Sequence, residues 1–105
     1  MKIYRISQDV NTGYDTYSDA VVIAKTVEDA KGMHPSARET LFPDIFYDEE
    51  KGMFMNKYHG SDETCVFEDE YGGWTNDLTA ITVEELGTAK KGSVEGVVCA
   101  SFHAG

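Results

Sequence analysis

Cys99 and His103 are the cysteine and histidine that lie closest together in the chain, so they are the first residues to test for chemistry. A thiol in contact with an imidazole would form a nucleophile–base pair. On a strand, four residues place both side chains on one face but about 13 Å apart, which is too far for a hydrogen bond. We therefore expect no enzymatic activity and assign no catalytic residue, although a cysteine–histidine or serine–histidine pair formed by the fold remains open.

Metal and cofactor sites are not indicated either. The three histidines and two cysteines lack the paired spacing of zinc ligands. Cys65 and Cys99 lie in apolar runs, so we expect buried, reduced thiols that act as small hydrophobic residues. No glycine-rich loop has the surroundings of a phosphate site. The sequence thus predicts neither a metal nor a cofactor.

Most of the negative charge lies between residues 44 and 77. This segment holds ten carboxylates and two lysines, so it carries −8 of the net charge of −10. Such charge repels nucleic acids and anionic membranes and attracts cationic protein surfaces. We predict no direct nucleic-acid or membrane partner, and a partner-binding acidic face formed by Asp48, Glu49, Glu50, Asp62, Glu63, Glu68, Asp69 and Glu70. Solvated charge without a partner is the alternative.

A polar loop at residues 11–19 is the second candidate site. It packs two tyrosines, two acids and several hydroxyl or amide side chains between two apolar segments, and loops on a rigid frame often form binding sites. The candidate ligand-binding residues are Asn11, Tyr14, Asp15, Thr16, Tyr17 and Trp74. The alternatives are a hydrogen-bonded loop that closes the end of a sheet, and a Trp74 that serves as a core residue.

Three strands are expected to position these residues. Residues 2–7 alternate, with Tyr4 and Ile6 on one face and Ile3 and Arg5 on the other. Residues 20–24 and 96–102 are continuously apolar, which is typical of strands covered on both faces. We therefore place these two strands at the centre of the sheet.

The remaining chain predicts one helix and further strands. Thr26 can cap a short helix that ends near Met33 and buries Val27, Ala30 and Met33. Residues 52–58 and 64–68 predict a hairpin, and residues 80–84 favour a strand over a short helix ending at Gly87. The fold class is therefore α+β: a single domain over residues 1–105, mainly antiparallel sheet, with one short helix on one face. An acidic hairpin excursion spans about residues 43–77 and is attached through Phe54, Val66, Phe67 and Trp74.

Several segments resemble small uncharacterised proteins of tailed phages and prophages. They are Ser7–Tyr17 (SQDVNTGYDTY), Ala20–Val22, His34–Ser36, Leu86–Gly87 and Gly96–Gly105 (GVVCASFHAG), about half of the chain. The resemblance implies a phage-encoded protein. Because the sequence shows no apolar run long enough for a signal peptide or a membrane span, we expect this protein in the cytoplasm of a bacterial host. The resemblance implies no particular activity.

Three functions are compatible with these features. The leading hypothesis is a counter-defence protein whose acidic face blocks a cationic, nucleic-acid-binding site of a host defence protein. The second is a protein that sequesters a nucleotide immune signal through the 11–19 loop, and in that case we expect a homo-oligomer. The third is a structural or regulatory phage protein. A nucleotide pocket needs basic donors near the loop, from Arg5, Lys25, Arg38, Lys90 or Lys91, whereas channel blocking needs a contiguous carboxylate face.

Overall fold

Two antiparallel sheets and one short α-helix make up the computed structural model, which describes residues 1–13, 16–38, 45–57, 63–67 and 73–103. The elements in chain order are β1 (Lys2–Ser7), β2 (Thr16–Ala24), α1 (Val27–Lys31), β3 (Ile45–Asp48), β4 (Met53–Lys57), β5 (Thr64–Val66), β6 (Thr82–Thr88) and β7 (Gly96–His103). Two 3₁₀ turns lie at Pro35–Arg38 and Leu78–Ala80. The described part is therefore mainly β, and α1 is its only α-helix. None of its helices is long and apolar enough to cross a membrane.

The larger sheet has the strand order β6-β1-β2-β7, with every pair antiparallel. Alternation along β1 buries Tyr4 and Ile6, and along β2 it buries Ala20, Val22 and Ala24. These side chains form the inner face of the sheet. The predicted alternation of residues 2–7 is confirmed, including the outward position of Arg5, which is exposed.

The predicted central position of the last strand is wrong. Among the described strands of this sheet, only β1 and β2 have a neighbour on both sides, and β7 lies at one end of the strand order. Val98 is 56% exposed and Phe102 is 45% exposed. Cys99 is exposed and Cys65 is half-buried, so the expected burial of both thiols is also wrong. The apolar run identified a strand correctly, but burial depends on strand order, which no local pattern encodes.

The helix begins where the capping residues predict. The Thr26 hydroxyl oxygen accepts a hydrogen bond from the Asp29 amide at 3.1 Å, and the helix ends at Lys31 with Gly32 as its cap. Ala30 is fully buried, whereas Val27 is exposed, contrary to the expected apolar face. The helix packs on the inner side of the larger sheet against β1, β2 and β6.

The smaller sheet has the order β3-β4-β5. The pairing of β4 with β5 was predicted, while β3 was not. Phe54, in β4, is buried in the core beside Trp74, and Phe67 packs against the same cluster. Val66 is exposed, so it does not help to attach this sheet as expected.

The chain returns to the larger sheet through residues 73–81. Trp74 is 4% exposed, which places it in the core. Asp77 caps the 3₁₀ turn by accepting a hydrogen bond from the Thr79 amide at 3.0 Å. Strand β6 then pairs with β1, so the strand predicted near residues 80–84 is confirmed and the competing helix is wrong.

His34 lies buried among aromatic rings that come from both sheets. Its ring makes edge contacts with Phe54 and Phe67, each at 4.9 Å between centroids, and lies 6.4 Å from the ring of Tyr17. The Nδ1 atom accepts a hydrogen bond from the Ser36 amide at 3.0 Å. Burial lowers the pKa of His34 from 6.5 to about 4, so the imidazole is neutral near pH 7.

We predict that acidification destabilises the protein through His34. In the unfolded chain His34 takes up a proton near pH 6.5, whereas in the folded chain it stays neutral down to about pH 4. The contribution of neutral His34 to stability is therefore fully present above pH 6.5 and declines as the pH falls below that value. Between about pH 7.5 and pH 5 the loss should be about 2 kcal/mol. Denaturant unfolding at these two pH values measures it.

The matched variant is His34→Phe, which keeps an aromatic ring and removes the titrating group. Its stability should change much less over the same interval. An equal loss in this variant and in the unmodified protein would assign the pH dependence to other groups.

Candidate functional site

The acids at residues 48–50 form the turn between β3 and β4. The Asp48 carboxylate accepts a hydrogen bond from the Lys51 amide at 3.1 Å, which stabilises the turn. Glu49 and Glu50 are exposed. None of the three makes an ion pair with a residue that the structure describes. This turn is therefore a small cluster of carboxylates facing solvent.

The other predicted acids do not extend this cluster within the described residues. Glu63 precedes β5, whose first residue Thr64 pairs with Lys57 at the far end of β4 from the turn. A five-residue strand separates the two positions by about 13 Å. Asp62, Glu68, Asp69 and Glu70 lie outside the described residues. The expected acidic hairpin layer is accordingly not confirmed.

The loop between β1 and β2 is held by the side chain of Gln8. Its amide nitrogen lies within hydrogen-bonding distance of the backbone carbonyls of Asn11, Tyr17 and Gly73, at 3.2, 2.9 and 2.9 Å. Its amide oxygen accepts a hydrogen bond from the Thr75 amide at 3.0 Å. Three carbonyls on one side and one N–H on the other fix the orientation of the carboxamide.

The proposed ligand-binding residues of this loop make internal contacts. The buried Thr16 hydroxyl donates to the Gly13 carbonyl at 2.9 Å, and the buried Tyr17 hydroxyl accepts a hydrogen bond from Ser36 at 3.3 Å. Asn11 is half-buried, and the indole nitrogen of Trp74 is buried without a hydrogen-bond partner among the described residues. Tyr14 and Asp15 lie outside the described residues.

We predict that Gln8→Ala lowers the free energy of unfolding by about 2 kcal/mol or more, because the Asn11 and Tyr17 carbonyls and the Thr75 amide lose their contact with its side chain, and the Gly73 carbonyl keeps the Tyr17 amide but loses Gln8. Chemical denaturation measures the change. The control is Asn11→Ala in the same loop, since the Asn11 side chain makes no hydrogen bond to a residue that the structure describes and the backbone carbonyl is retained. This variant should lose less than about 0.5 kcal/mol. Equal losses in the two variants would contradict the role given to Gln8.

A groove of about 310 Å³ lies on the outer face of the larger sheet. It is lined by Arg5 on β1, by Asp19, Ala20 and Val21 on β2, and by Cys99, Ala100 and Ser101 on β7. The register explains this grouping, because Arg5, Val21 and Cys99 are partners in one row across three strands. The groove thus depends on the alignment of residues far apart in the chain.

Arg5 is the cation of this groove. Its Nε donates to the Asp19 carboxylate at 2.8 Å, and one terminal nitrogen lies 2.8 Å from the same oxygen. The other terminal nitrogen lies 3.9 Å from a carboxylate oxygen of Glu84, which is too far for a hydrogen bond. A guanidinium has five N–H donors, so several remain for an anion.

The Arg5 groove was not identified from the sequence. The alternation of residues 2–7 correctly placed Arg5 on the outer face, and Arg5 was among the basic residues expected near the loop. Asp19, its partner, is the last residue of the predicted loop. What the sequence lacked was the position of β7, which brings Cys99 and Ser101 to the same groove.

No group of side chains typical of a metal site is found in the described residues. They contain no group of three or more His, Cys, Asp or Glu side chains that could hold a metal ion. Cys99 and His103 both lie on β7, as the strand prediction required. Comparison with protein-family models, with curated proteins and with solved structures gives no match for this chain.

Proposed function

We propose that the protein is a non-enzymatic binding protein that sequesters a small anionic ligand of the nucleotide class in the Arg5 groove. The observation that supports this is a guanidinium with unused donors beside a groove of about 310 Å³. That volume lies at the lower end of the range for small-molecule sites, roughly 300–1,000 Å³.

The lining of the groove suits a nucleotide better than a simple ion. Arg5 supplies the planar charged donors that bind phosphate oxygens, and the Ser101 hydroxyl is a further polar group. Val21 and Cys99, which lie in the same outward row as Arg5, offer apolar surface on which a base or sugar can pack. A ligand would exchange the Asp19 contact of Arg5 for a phosphate contact.

The resemblance to tailed-phage proteins suggests which kind of nucleotide the protein would bind. A phage benefits from removing a nucleotide that its host makes as an immune signal, and sequestration needs binding but no chemistry. In this proposal the ligand binds beside Asp19, the last residue of the 11–19 loop, and on the adjoining strands. The middle of the loop is not part of the site.

We predict that Arg5→Gln abolishes nucleotide binding. The test is a thermal-shift and calorimetric titration of the protein with a panel of mono-, di- and cyclic nucleotides, together with mass spectrometry of small molecules released when protein isolated from infected cells is denatured. Lys90→Gln is the control, because it removes one positive charge from the exposed turn between β6 and β7.

The expected result is a nucleotide that raises the melting temperature of the unmodified protein and of Lys90→Gln but not of Arg5→Gln. Arg5→Gln should fold normally, since an exposed ion pair contributes about 0–1 kcal/mol. A nucleotide that binds all three proteins equally would place its site elsewhere, and the absence of any bound nucleotide would contradict the proposal.

A second candidate function is the blocking of a cationic, nucleic-acid-binding site on a host defence protein. The observation that favours it is the exposed pair Glu49 and Glu50, which forms no ion pair with a described residue, although Lys51 follows directly in the chain. In this case the turn would enter the field of a basic surface, and long-range attraction would accelerate association.

For this candidate we predict that reversing Glu49 and Glu50 to lysine reduces capture of host proteins by the immobilised protein at low salt. The control reverses Glu85 and Glu95, which are also exposed and give the same change in net charge. The host lysate is treated with nuclease, and the captured proteins are then challenged with duplex DNA. The role as a blocker of a nucleic-acid-binding site would be supported by a host protein with three properties. The first variant no longer captures it, the control still captures it, and duplex DNA displaces it. Capture that is indifferent to both variants and to salt would exclude it.

A further inference from the structure

The charges around the Arg5 groove limit the kind of anion that it can take. Among the described residues that line the groove, Arg5 is the only cation and Asp19 is the only carboxylate. Glu84 lies just outside this lining, with a carboxylate oxygen 3.9 Å from the guanidinium. A phosphate that approaches Arg5 therefore meets one positive charge and two negative charges.

Asp19 is the carboxylate in direct contact with the guanidinium. The Nε atom and one terminal nitrogen of Arg5 both lie 2.8 Å from the same oxygen of Asp19. The side chain of Asp19 is 27% exposed, so solvent screens its charge less than it screens that of a fully exposed acid. The donors of Arg5 that Asp19 does not use belong to the two terminal nitrogens, and these are the ones open to a phosphate oxygen.

Strand pairing keeps Asp19 at the groove when a ligand binds. Its backbone is paired with Ser7 on β1 and with Ser101 on β7. Its second carboxylate oxygen lies 3.4 Å from the Ser18 hydroxyl. Only the side chain of Asp19 can rotate, so a phosphate bound to Arg5 has this carboxylate as a close neighbour even after Arg5 has exchanged one contact for the other.

Phosphate groups differ in how strongly such carboxylates repel them. A phosphate monoester carries a charge of about −1.5 to −2 at pH 7, whereas a phosphodiester has one ionisable oxygen and carries a single negative charge. Arg5 attracts the ligand from direct contact, but two carboxylates oppose it from slightly further away. Each negative charge beyond the first is therefore unfavourable in this groove.

We propose that Asp19 is a specificity-determining residue, which makes the Arg5 groove selective for nucleotides whose phosphate is a singly charged diester. The inference rests on the proposed function, because it concerns the ligand of the same groove. Cyclic nucleotides and nucleotides linked through a diester belong to this class, and nucleoside mono-, di- and triphosphates do not. Asp19, once released by Arg5, can also accept a hydrogen bond from a ribose hydroxyl, as acidic residues do in dinucleotide-binding folds.

The test uses pairs of ligands that differ only in the charge of the phosphate. Each common ribonucleoside 5′-monophosphate is compared with its phosphate methyl ester, which has the same base and sugar and is a singly charged diester. Calorimetric titration is carried out without divalent cations, because these would neutralise the phosphate. For the base that binds, we expect the methyl ester to bind the unmodified protein at least about ten-fold more tightly than the monophosphate.

Three variants assign this preference to Asp19. Asp19→Asn removes the charge and keeps the size of the side chain, so it should tighten the monophosphate more than the ester and reduce the ratio of affinities to about three-fold or less. Asp29→Asn is the matched control, since Asp29 is exposed on α1, on the opposite side of the sheet, and the ratio should not change. Glu84→Gln is a second variant in case Asp19→Asn does not fold, and its effect should be smaller because Glu84 is further from Arg5.

Salt provides a measurement that needs no variant, because screening by added salt should narrow the ratio in the unmodified protein. Equal affinities within a pair, or a ratio that neither Asp19→Asn nor Glu84→Gln changes, would overturn the inference while leaving nucleotide binding by the groove in place. If no member of any pair binds, the result contradicts the proposed function and the inference with it.

Discussion

The hydrogen bonds of the Gln8 carboxamide join the ends of β1 and β2 to residues 73–75, which belong to no described strand. Gln8 follows β1, and its side chain binds the start of β2 and residues 73–75, some 65 positions further along. The backbone reinforces this, because the Tyr17 amide also donates to the Gly73 carbonyl at 2.9 Å. The returning chain is therefore fixed to the end of the larger sheet before β6 pairs with β1.

The same returning segment holds the smaller sheet in place. The side-chain oxygen of Asn76 accepts a hydrogen bond from the Phe54 amide at 2.9 Å, and the Tyr47 hydroxyl donates to the Asn76 carbonyl at 3.0 Å. These contacts set Phe54 against His34, whose neutral ring is the centre of the aromatic packing between the sheets. Polar contacts thus position the apolar core, and the contact of the Phe54 amide satisfies a backbone group of a buried residue that would otherwise be costly to bury.

Local patterns in the sequence were sufficient for most individual elements. The alternation of residues 2–7 and the cap at Thr26 each reflect interactions within a few residues, so β1 and α1 could be predicted. The edge position of β7, the Gln8 contacts and the Arg5 groove depend on which strands become neighbours. That order is set by packing over the whole chain, and a single apolar run such as residues 96–102 is equally typical of a central strand.

The division of the larger sheet into two faces constrains where a ligand or partner can bind. Its inner face is occupied by the core, so among the described surfaces of this sheet the outer face is the one open to a ligand or partner. On the outer face, Arg5 is in contact with Asp19 and near Glu84, and these carboxylates act on it directly at 2.8 and 3.9 Å. Acids further away are screened at physiological salt, where the Debye length is about 8 Å. An acidic chain can therefore bind an anion at this position, provided that the local contacts with Arg5 outweigh the loss of its contact with Asp19.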